Sequence, residues 1–380
     1  MILRRPRTSS EPRRLVCTVS TVLDSLPNVE TFVRRNLAAG VDHMFVFLDG
    51  PAPRVRAFLE DHEHVTVVRT DKAYWRGKRP KALNRRQVVN ANLVNCLLAA
   101  FDSVAWLFHI DGDEVLDIDK DALLGIEEDD VTSVHLPCWE AVSQQHWDGE
   151  VTHFKRLLGS DELSLLTVLG LAEKPDNRFY FNGHVRGKTG SRPGLDIRLR
   201  IHFATRLDGE EIEGRQLDDQ HLLHYESFSG EEFVRKWAAH LSSGTASKFS
   251  PRRDLLRAAI EAVTTNPVLD DDRKRELLLR LYRDQVEDDF ATLRELGYLE
   301  TPRTDRHQHT PTPFTKDERA LLDGYLQRLC EADKALFSAD PRTQQDPAGL
   351  VRDIVDHLGP GESALAERLA AVLGPRVDQG

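Results

Sequence analysis

The sequence predicts an α/β fold, a mostly parallel sheet flanked by helices, followed by a helical C-terminal region. Three observations predict it. Short apolar runs alternate with amphipathic segments through the first third of the chain. The last of those runs ends abruptly in Asp111-Gly112-Asp113-Glu114. Beyond residue 250 the apolar residues recur at helical spacing with no strand-like runs between them.

The elements follow in order. Residues 15–20 form a short apolar strand. Pro27-Asn28 opens a helix through Val29, Phe32, Val33 and Leu37, which Gly40 closes. Residues 44–48 are continuously apolar, as expected of a strand buried on both faces. A helix over 55–59 and a β-branched strand over 65–68 come next. A long helix over 81–101 presents Val89, Leu93 and Leu97 to the sheet, and residues 104–110 make another strand. Strands alternating with helices imply parallel pairing and right-handed crossovers, with ligands at the carboxyl ends of the strands. Strands are further expected over 134–142, 197–205 and 221–225. Helices are expected over 253–265 and 270–296, the second with Leu278, Tyr282, Val286 and Phe290 on one stripe. A proline-rich linker over 301–313 leads to more helices.

Bulk properties bound the function. The 380 residues allow a large core. The net charge of -11 argues against a nucleic-acid partner. The local exception is Arg4, Arg5, Arg7, Arg13 and Arg14, read as a solvated tail. No apolar run spans a bilayer and the N-terminus lacks the apolar stretch of a signal peptide, so a cytoplasmic protein without integral membrane contact is expected. Cys17, Cys96, Cys138 and Cys330 are scattered and read as free thiols.

The acidic strand end carries the chemistry. Extended-chain alternation would put His109, Asp111 and Asp113 on one face and turn Glu114 away. Carboxylates crowded at a strand end repel unless a cation neutralises them, and oxygen ligands of this kind suit Mg²⁺ or Mn²⁺ with a substrate phosphate. The bland alternative is a polar loop leaving a buried strand.

At these residues the sequence resembles the glycosyltransferase family 2-like enzymes of the GT-A fold. The resemblance is to the branch with an Asp-x-Asp-Glu motif inside a Trp-led stretch, here Trp106 to Val115, with Val115 in place of the usual aromatic. Gly40-Val41-Asp42-His43 followed by Phe45 to Asp49, and His224-Tyr225 followed by Phe233 and Lys236, also match that branch. The likeness runs from residue 15 to roughly residue 241. It implies a GT-A-type, Rossmann-like sheet and sugar transfer from a nucleotide-diphosphate donor to an acceptor hydroxyl, with inversion. Two departures stand out. Ser20-Thr21 and Asp24 occupy the place of an Asn-Glu or Asp-Glu pair, and the Asp-rich turn after the second strand is reduced to Asp49-Gly50-Pro51. The chain then divides into a disordered basic tail (1–14), a catalytic domain (15–250) and a helical C-terminal region (251–380) that leaves a homodimer open.

Roles follow from both lines of reasoning. Asp111 and Asp113 are the metal and diphosphate residues, and the resemblance implies His224 as the third ligand. His221 would face the other way. Asp49 could accept a hydrogen bond from base or ribose, or simply form a turn. Arg79 to Gln87 begins the long helix, where free N–H groups and cations attract a diphosphate. The resemblance favours Arg85 there, with Arg79 and Gln87 behind it, and Arg86 reads as solvated. Tyr74 and Trp75 could stack on a donor or cover the sheet edge. An inverting transfer needs a base. Glu140, beside a Trp139 able to stack on a sugar, is the candidate, with Asp218 and Asp219 as alternatives.

Gly183 to Thr189 imitates a phosphate loop, but three residues rather than four separate its glycines and no helix can follow. Lys188 and Arg192 could still reach a phosphate from a flexible loop. Two other functions remain open. A nucleotidyltransferase or phosphoesterase could use the same acid cluster, and a non-catalytic nucleotide or sugar binding module would bind donor without turnover.

Overall fold

The computed structural model describes residues 13–127, 131–217, 219–243, 251–303, 306, 308–339 and 342–358. Residues 1–12, Asp218 and the last residues from 359 on lie outside that description, and with them most of the expected basic tail and the Asp218 alternative for the base.

Strands β1 (Leu15–Val22), β2 (His43–Leu48), β3 (Val65–Arg69) and β4 (Val104–His109) alternate with helices α1 (Leu26–Ala38), α2 (Pro53–Glu60) and α3 (Leu83–Leu98). The chain continues through β5 (Glu114–Asp117), α4 (Lys120–Leu124), β6 (Ser133–Leu136), β7 (Cys138–Ala141), β8 (Phe154–Lys155), α5 (Ser160–Val168) and α6 (Asn177–Tyr180). Then come β9 (Lys188–Ser191), β10 (Ile197–Leu199), β11 (Ala204–Arg206), β12 (Glu211–Ile212), β13 (Arg215–Gln216) and β14 (His221–His224). The remainder holds α7 (Gly230–Ser243), α8 (Pro251–Thr264), α9 (Asp271–Gln285), α10 (Phe290–Glu295), β15 (Leu299–Glu300), α11 (Lys316–Glu331), α12 (Arg342–Gln345) and α13 (Pro347–Leu358).

The central sheet has the order β13-β6-β9-β4-β1-β2-β3. Its pairs are parallel except where β9 meets β4 and β6, so β9 alone runs backwards. Side-chain alternation along the buried strands divides the core. Leu15, Cys17, Val19, Phe45 and Phe47 pack on α3, while Val16, Val22, Met44, Val46 and Leu48 pack on α1 and α2. A second sheet, β15-β8-β7-β14-β5, stands beside the carboxyl ends of the first, and a small third sheet joins β10, β11 and β12.

Several expected elements are divided. The strand expected over 134–142 breaks at Pro137, which has no N–H for a ladder, and its halves join different sheets. The strand expected over 197–205 is a hairpin of β10 and β11. The helix expected over 270–296 stops after Gln285. Leu278, Tyr282 and Val286 pack together with Phe233 and Trp237, whereas Phe290 begins α10.

Two expected appendages are docked. Arg306 and residues 308–313 form a strap. Arg306 Nη2 lies 2.6 Å from Asp219 Oδ2, the His309 N–H donates to the Ala38 carbonyl, and the Thr312 N–H donates to the buried Asp42 carboxylate. Leu322, Leu329, Leu350, Val351 and Ile354 from α11 and α13 share one core with α3 and β1. At the other end, Arg13 pairs with Glu318 and Arg14 Nη1 donates to the Leu124 carbonyl, so these two residues are anchored rather than disordered. All four cysteines are free thiols. No helix among the described residues is long and apolar enough to cross a membrane.

Candidate functional site

The site grows from the end of β4. His109 closes that strand, and the chain then turns at Asp111-Gly112-Asp113, with the Glu114 N–H donating to the Asp111 carbonyl. The turn replaces the expected straight extension. Its consequence reverses two sequence expectations. His109 does not join the carboxylates, because its Nδ1 lies 2.9 Å from the Arg200 carbonyl. Glu114 does not point away but opens β5 and lies fully buried at the centre.

The second sheet brings the remaining groups. Across it, His224 of β14 registers with Glu114 of β5 on one side and Glu140 of β7 on the other, and Glu140 registers with Lys155 of β8. Registered residues on neighbouring strands face the same way, so Glu114, His224, Glu140 and Lys155 form one row. The Tyr225 N–H donates to the Asp113 carbonyl and ties the acid turn to the end of β14. Two residues beyond His224, Glu226 returns to the same side, next to Ser227 with a positive φ of 48°.

Two ion-pair clusters result, each centred on a lysine. In the first, Lys188 Nζ lies 2.7 Å from Asp111 Oδ2 and 3.3 Å from Glu114 Oε2, while Gln87 Nε2 donates to Asp111 Oδ1 at 2.5 Å. His184 Nε2 lies 2.8 Å from Glu114 Oε1. In the second, Lys236 Nζ lies 2.7 Å from both Asp113 Oδ2 and Glu226 Oε2. His224 Nε2 is 3.8 Å from the same two oxygens. The His184 and His224 rings stack with centroids 4.6 Å apart.

Charge follows from this geometry. Burial works to raise the Glu114 carboxyl, but Lys188 and His184 outweigh it and hold it far below the usual range. Burial and Lys188 compete likewise at Asp111, and Lys188 prevails, so its pKa is lowered. Burial would discharge Lys188 and Lys236, yet the flanking carboxylates push both up, keeping them ammonium ions. Burial also works against a charged His184, and the Glu114 bond raises it above its ordinary value.

The chemistry of the donor set fits a divalent cation. Asp113, His224 and Glu226 offer ligand atoms within 4.8 Å of one another, and so do Glu114, His184 and His224. Carboxylate oxygens with imidazole nitrogen suit Mn²⁺ and its neighbours. The buried Nδ1 atoms of His184 and His224 have no hydrogen-bond partner among the described residues.

Two glycines permit the close approach. A Cβ on Gly183 would lie 2.4 Å from His224 Cε1 and 2.8 Å from Glu140 Oε2. Gly187 has φ 56°, and a Cβ there would lie 2.0 Å from the Leu136 carbonyl oxygen. The Gly183 to Lys188 segment is therefore no phosphate loop. It delivers His184 and Lys188 to the acid turn, and Lys188 sits on the buried strand β9 rather than on a flexible loop. Arg192 is spent on the carbonyls of Val131, Ala105 and Ile126 and on the Trp106 ring.

At the end of β2 the helix start is reorganised. Arg86, expected to be solvated, is buried and clasps Asp49 with Nε at 2.8 Å and Nη2 at 2.6 Å. It also caps the carbonyls of Pro80 and Lys81. Arg79 Nη2 lies 3.0 Å from Asp49 Oδ1 and is half exposed, and Arg85 is exposed. The neighbouring threonine, Thr21, is bonded to Asn90, which accepts from the Tyr74 hydroxyl. Tyr74 and Trp75 are buried in the core shared by α3, Phe45 and Phe47, and so are not open to stack on a donor. Asp24 pairs with Arg235 of α7.

Neither carboxylate chosen as a base is placed for that work. Glu140 is wholly buried. Its Oε1 lies 3.0 Å from Lys155 Nζ and accepts the Asn182 N–H at 2.7 Å, and its Oε2 accepts the Gly183 N–H at 2.5 Å. It holds the loop that carries His184. Trp139 is stacked on His221, with centroids 3.7 Å apart, rather than open to a sugar. Asp219 precedes β14, at the end opposite His224, and is paired with Arg306. Sequence reasoning missed Glu226, although His-x-Glu in an extended chain puts both side chains on one face. No protein-family model and no curated protein matches this sequence.

Proposed function

We propose that the chain is a metal-dependent glycosyltransferase of the GT-A kind, moving a sugar from a nucleotide-diphosphate donor to an acceptor hydroxyl with inversion. One observation carries the reading: the Asp111-Gly112-Asp113-Glu114 turn, at the carboxyl ends of the parallel strands, converges with His224 at the end of β14 and with Glu226 just beyond it. Ligands bind at that end of such sheets.

Asp113, His224 and Glu226 would hold the divalent cation, which supplies charge for a departing diphosphate. Lys188 fixes Asp111 and Glu114 in their charged forms, so the acid turn keeps its geometry. Gln87 orients the other Asp111 oxygen. The Asp49–Arg86 clasp makes a floor at the end of β2, and Arg79, half exposed and bonded to the same Asp49, would be the cation there to meet a nucleotide. Glu140 acts only by positioning the Asn182–Gly183 backbone.

Incubation with a panel of nucleotide sugars and Mn²⁺ tests the reading through its product. Transfer, or slow donor hydrolysis, releases a nucleoside diphosphate. Release of pyrophosphate would instead mark nucleotidyl transfer, and donor binding with no product would mark a binding module.

A further inference from the structure

The oxygens best placed to hold a divalent cation already hold an ammonium group. Lys236 Nζ lies 2.7 Å from Asp113 Oδ2 and 2.7 Å from Glu226 Oε2. These are the same two oxygens that lie 3.8 Å from His224 Nε2. A divalent cation drawing on all three groups would compete with the ammonium for those two oxygens, and two positive charges held by one pair of carboxylates repel.

We propose that Lys236 is an exchangeable counter-ion, which neutralises Asp113 and Glu226 until a divalent cation displaces it. The inference rests on the metal reading above and adds a competitor for the metal within the chain. The two lysines of the site differ in a way that assigns the exchange to one of them. Lys188 has a side chain that is 0% exposed, on a strand inside the central sheet. Lys236 stands on helix α7 with 23% of its side chain exposed, beside an Asp113 side chain that is 30% exposed. Its four-carbon stem can therefore swing toward solvent without opening the core. His224 supports the same assignment. Its Nε2 is beyond hydrogen-bond distance of both oxygens that Lys236 bridges, so the ammonium leaves the imidazole unused where a metal ion would engage it.

The test is calorimetric titration of the full chain with Mn²⁺ alone, checked by the electron paramagnetic resonance signal of free Mn²⁺. Lys236→Met is expected to bind Mn²⁺ at least about tenfold more tightly than wild type. Lys236→Arg is expected to bind it several-fold more weakly, because a guanidinium forks both carboxylates and is harder to displace. Asp113→Asn should lose binding. A folded Lys236→Met protein that binds Mn²⁺ no more tightly than wild type overturns the exchange. If that variant does not fold, Lys236→Arg with wild-type affinity overturns it equally. Binding that is lost in Asp113→Asn but unchanged by either Lys236 variant leaves the metal reading standing and removes only the exchange. No Mn²⁺ binding by any form would remove both.

Discussion

Glu140→Gln separates a positioning role from a catalytic one. The wild-type carboxylate receives three donors, Lys155 Nζ and the N–H groups of Asn182 and Gly183, in a place fully closed to water. Glutamine keeps one acceptor oxygen and replaces the other with a donor, so at least one buried donor faces an NH₂ group. An unsatisfied buried donor costs about 1–3 kcal/mol. Breaking a buried ion pair costs about 3–5 kcal/mol when the survivor is uncompensated. Lys155 keeps Asp288 at 3.0 Å and the Tyr180 carbonyl, so it is not left uncompensated and the unsatisfied donor sets the scale, a loss of about 1–3 kcal/mol. Urea denaturation should show a lower midpoint at an unchanged slope. A Glu140→Gln protein that unfolds at the wild-type midpoint yet releases no nucleoside diphosphate would restore Glu140 as the base and refute the burial argument.

Three further outcomes are expected. Gly183→Ala puts a methyl group 2.4 Å from His224 Cε1, so calorimetry should show weaker Mn²⁺ binding and a loss of about 1–3 kcal/mol of stability. Wild-type Mn²⁺ affinity in that variant would mean that His224 is not a ligand. Arg86→Met leaves Asp49 buried with Arg79 alone and should cost about 3 kcal/mol in urea, whereas Arg85→Ala on the exposed neighbour should stay within about 0.5 kcal/mol; equal effects would contradict the assignment. Acidification should destabilise the fold below about pH 6.5. Burial lowers His109 and His202 to about 4 and His43 well below its ordinary value, so the unfolded chain binds more protons in that window and stability rises with pH across it. Two groups oppose this. His184 is raised, and its contribution is lost at higher pH; Asp288 is raised by burial, and its contribution falls with pH just above its unfolded value. Urea midpoints that stay level or rise from pH 7 to pH 5 would contradict the buried, neutral histidines.

The parts of the fold legible in the sequence are those where one physical cause dominates. Strands β2 and β4 are buried on both faces and read as nearly continuous apolar runs, β1 reads as a strand although Thr18, Ser20 and Thr21 interrupt its apolar residues, and α1 shows its buried stripe while α3 is buried almost all round. From β5 to β14 most strands hold two to four residues and pair with distant partners, which local periodicity does not encode. The proline-rich segment read as a linker because its anchors are backbone N–H groups and an Asp42 far away in sequence.

The site divides in the same way. Asp111, Asp113 and His224 were legible, and the structure brings them to one end of the sheets. The role of Glu114 was not, because one turn at Gly112 reverses the alternation that would have turned it outward. Arg86 was misread beside Arg85, although Arg86, Asn90, Leu93 and Leu97 share the helical spacing of a buried face. Glu140 looked like a free acid because its neutralising partners, Lys155 and the Asn182–Gly183 backbone, lie on other strands and loops.

Calorimetric titration of nucleoside diphosphates with and without Mn²⁺, on wild type and on Asp113→Asn, decides whether the acid turn builds a metal–diphosphate site. One nucleotide should bind only with Mn²⁺, and the variant should bind none. Nucleotide binding that ignores both Mn²⁺ and the Asp113 substitution would contradict such a site.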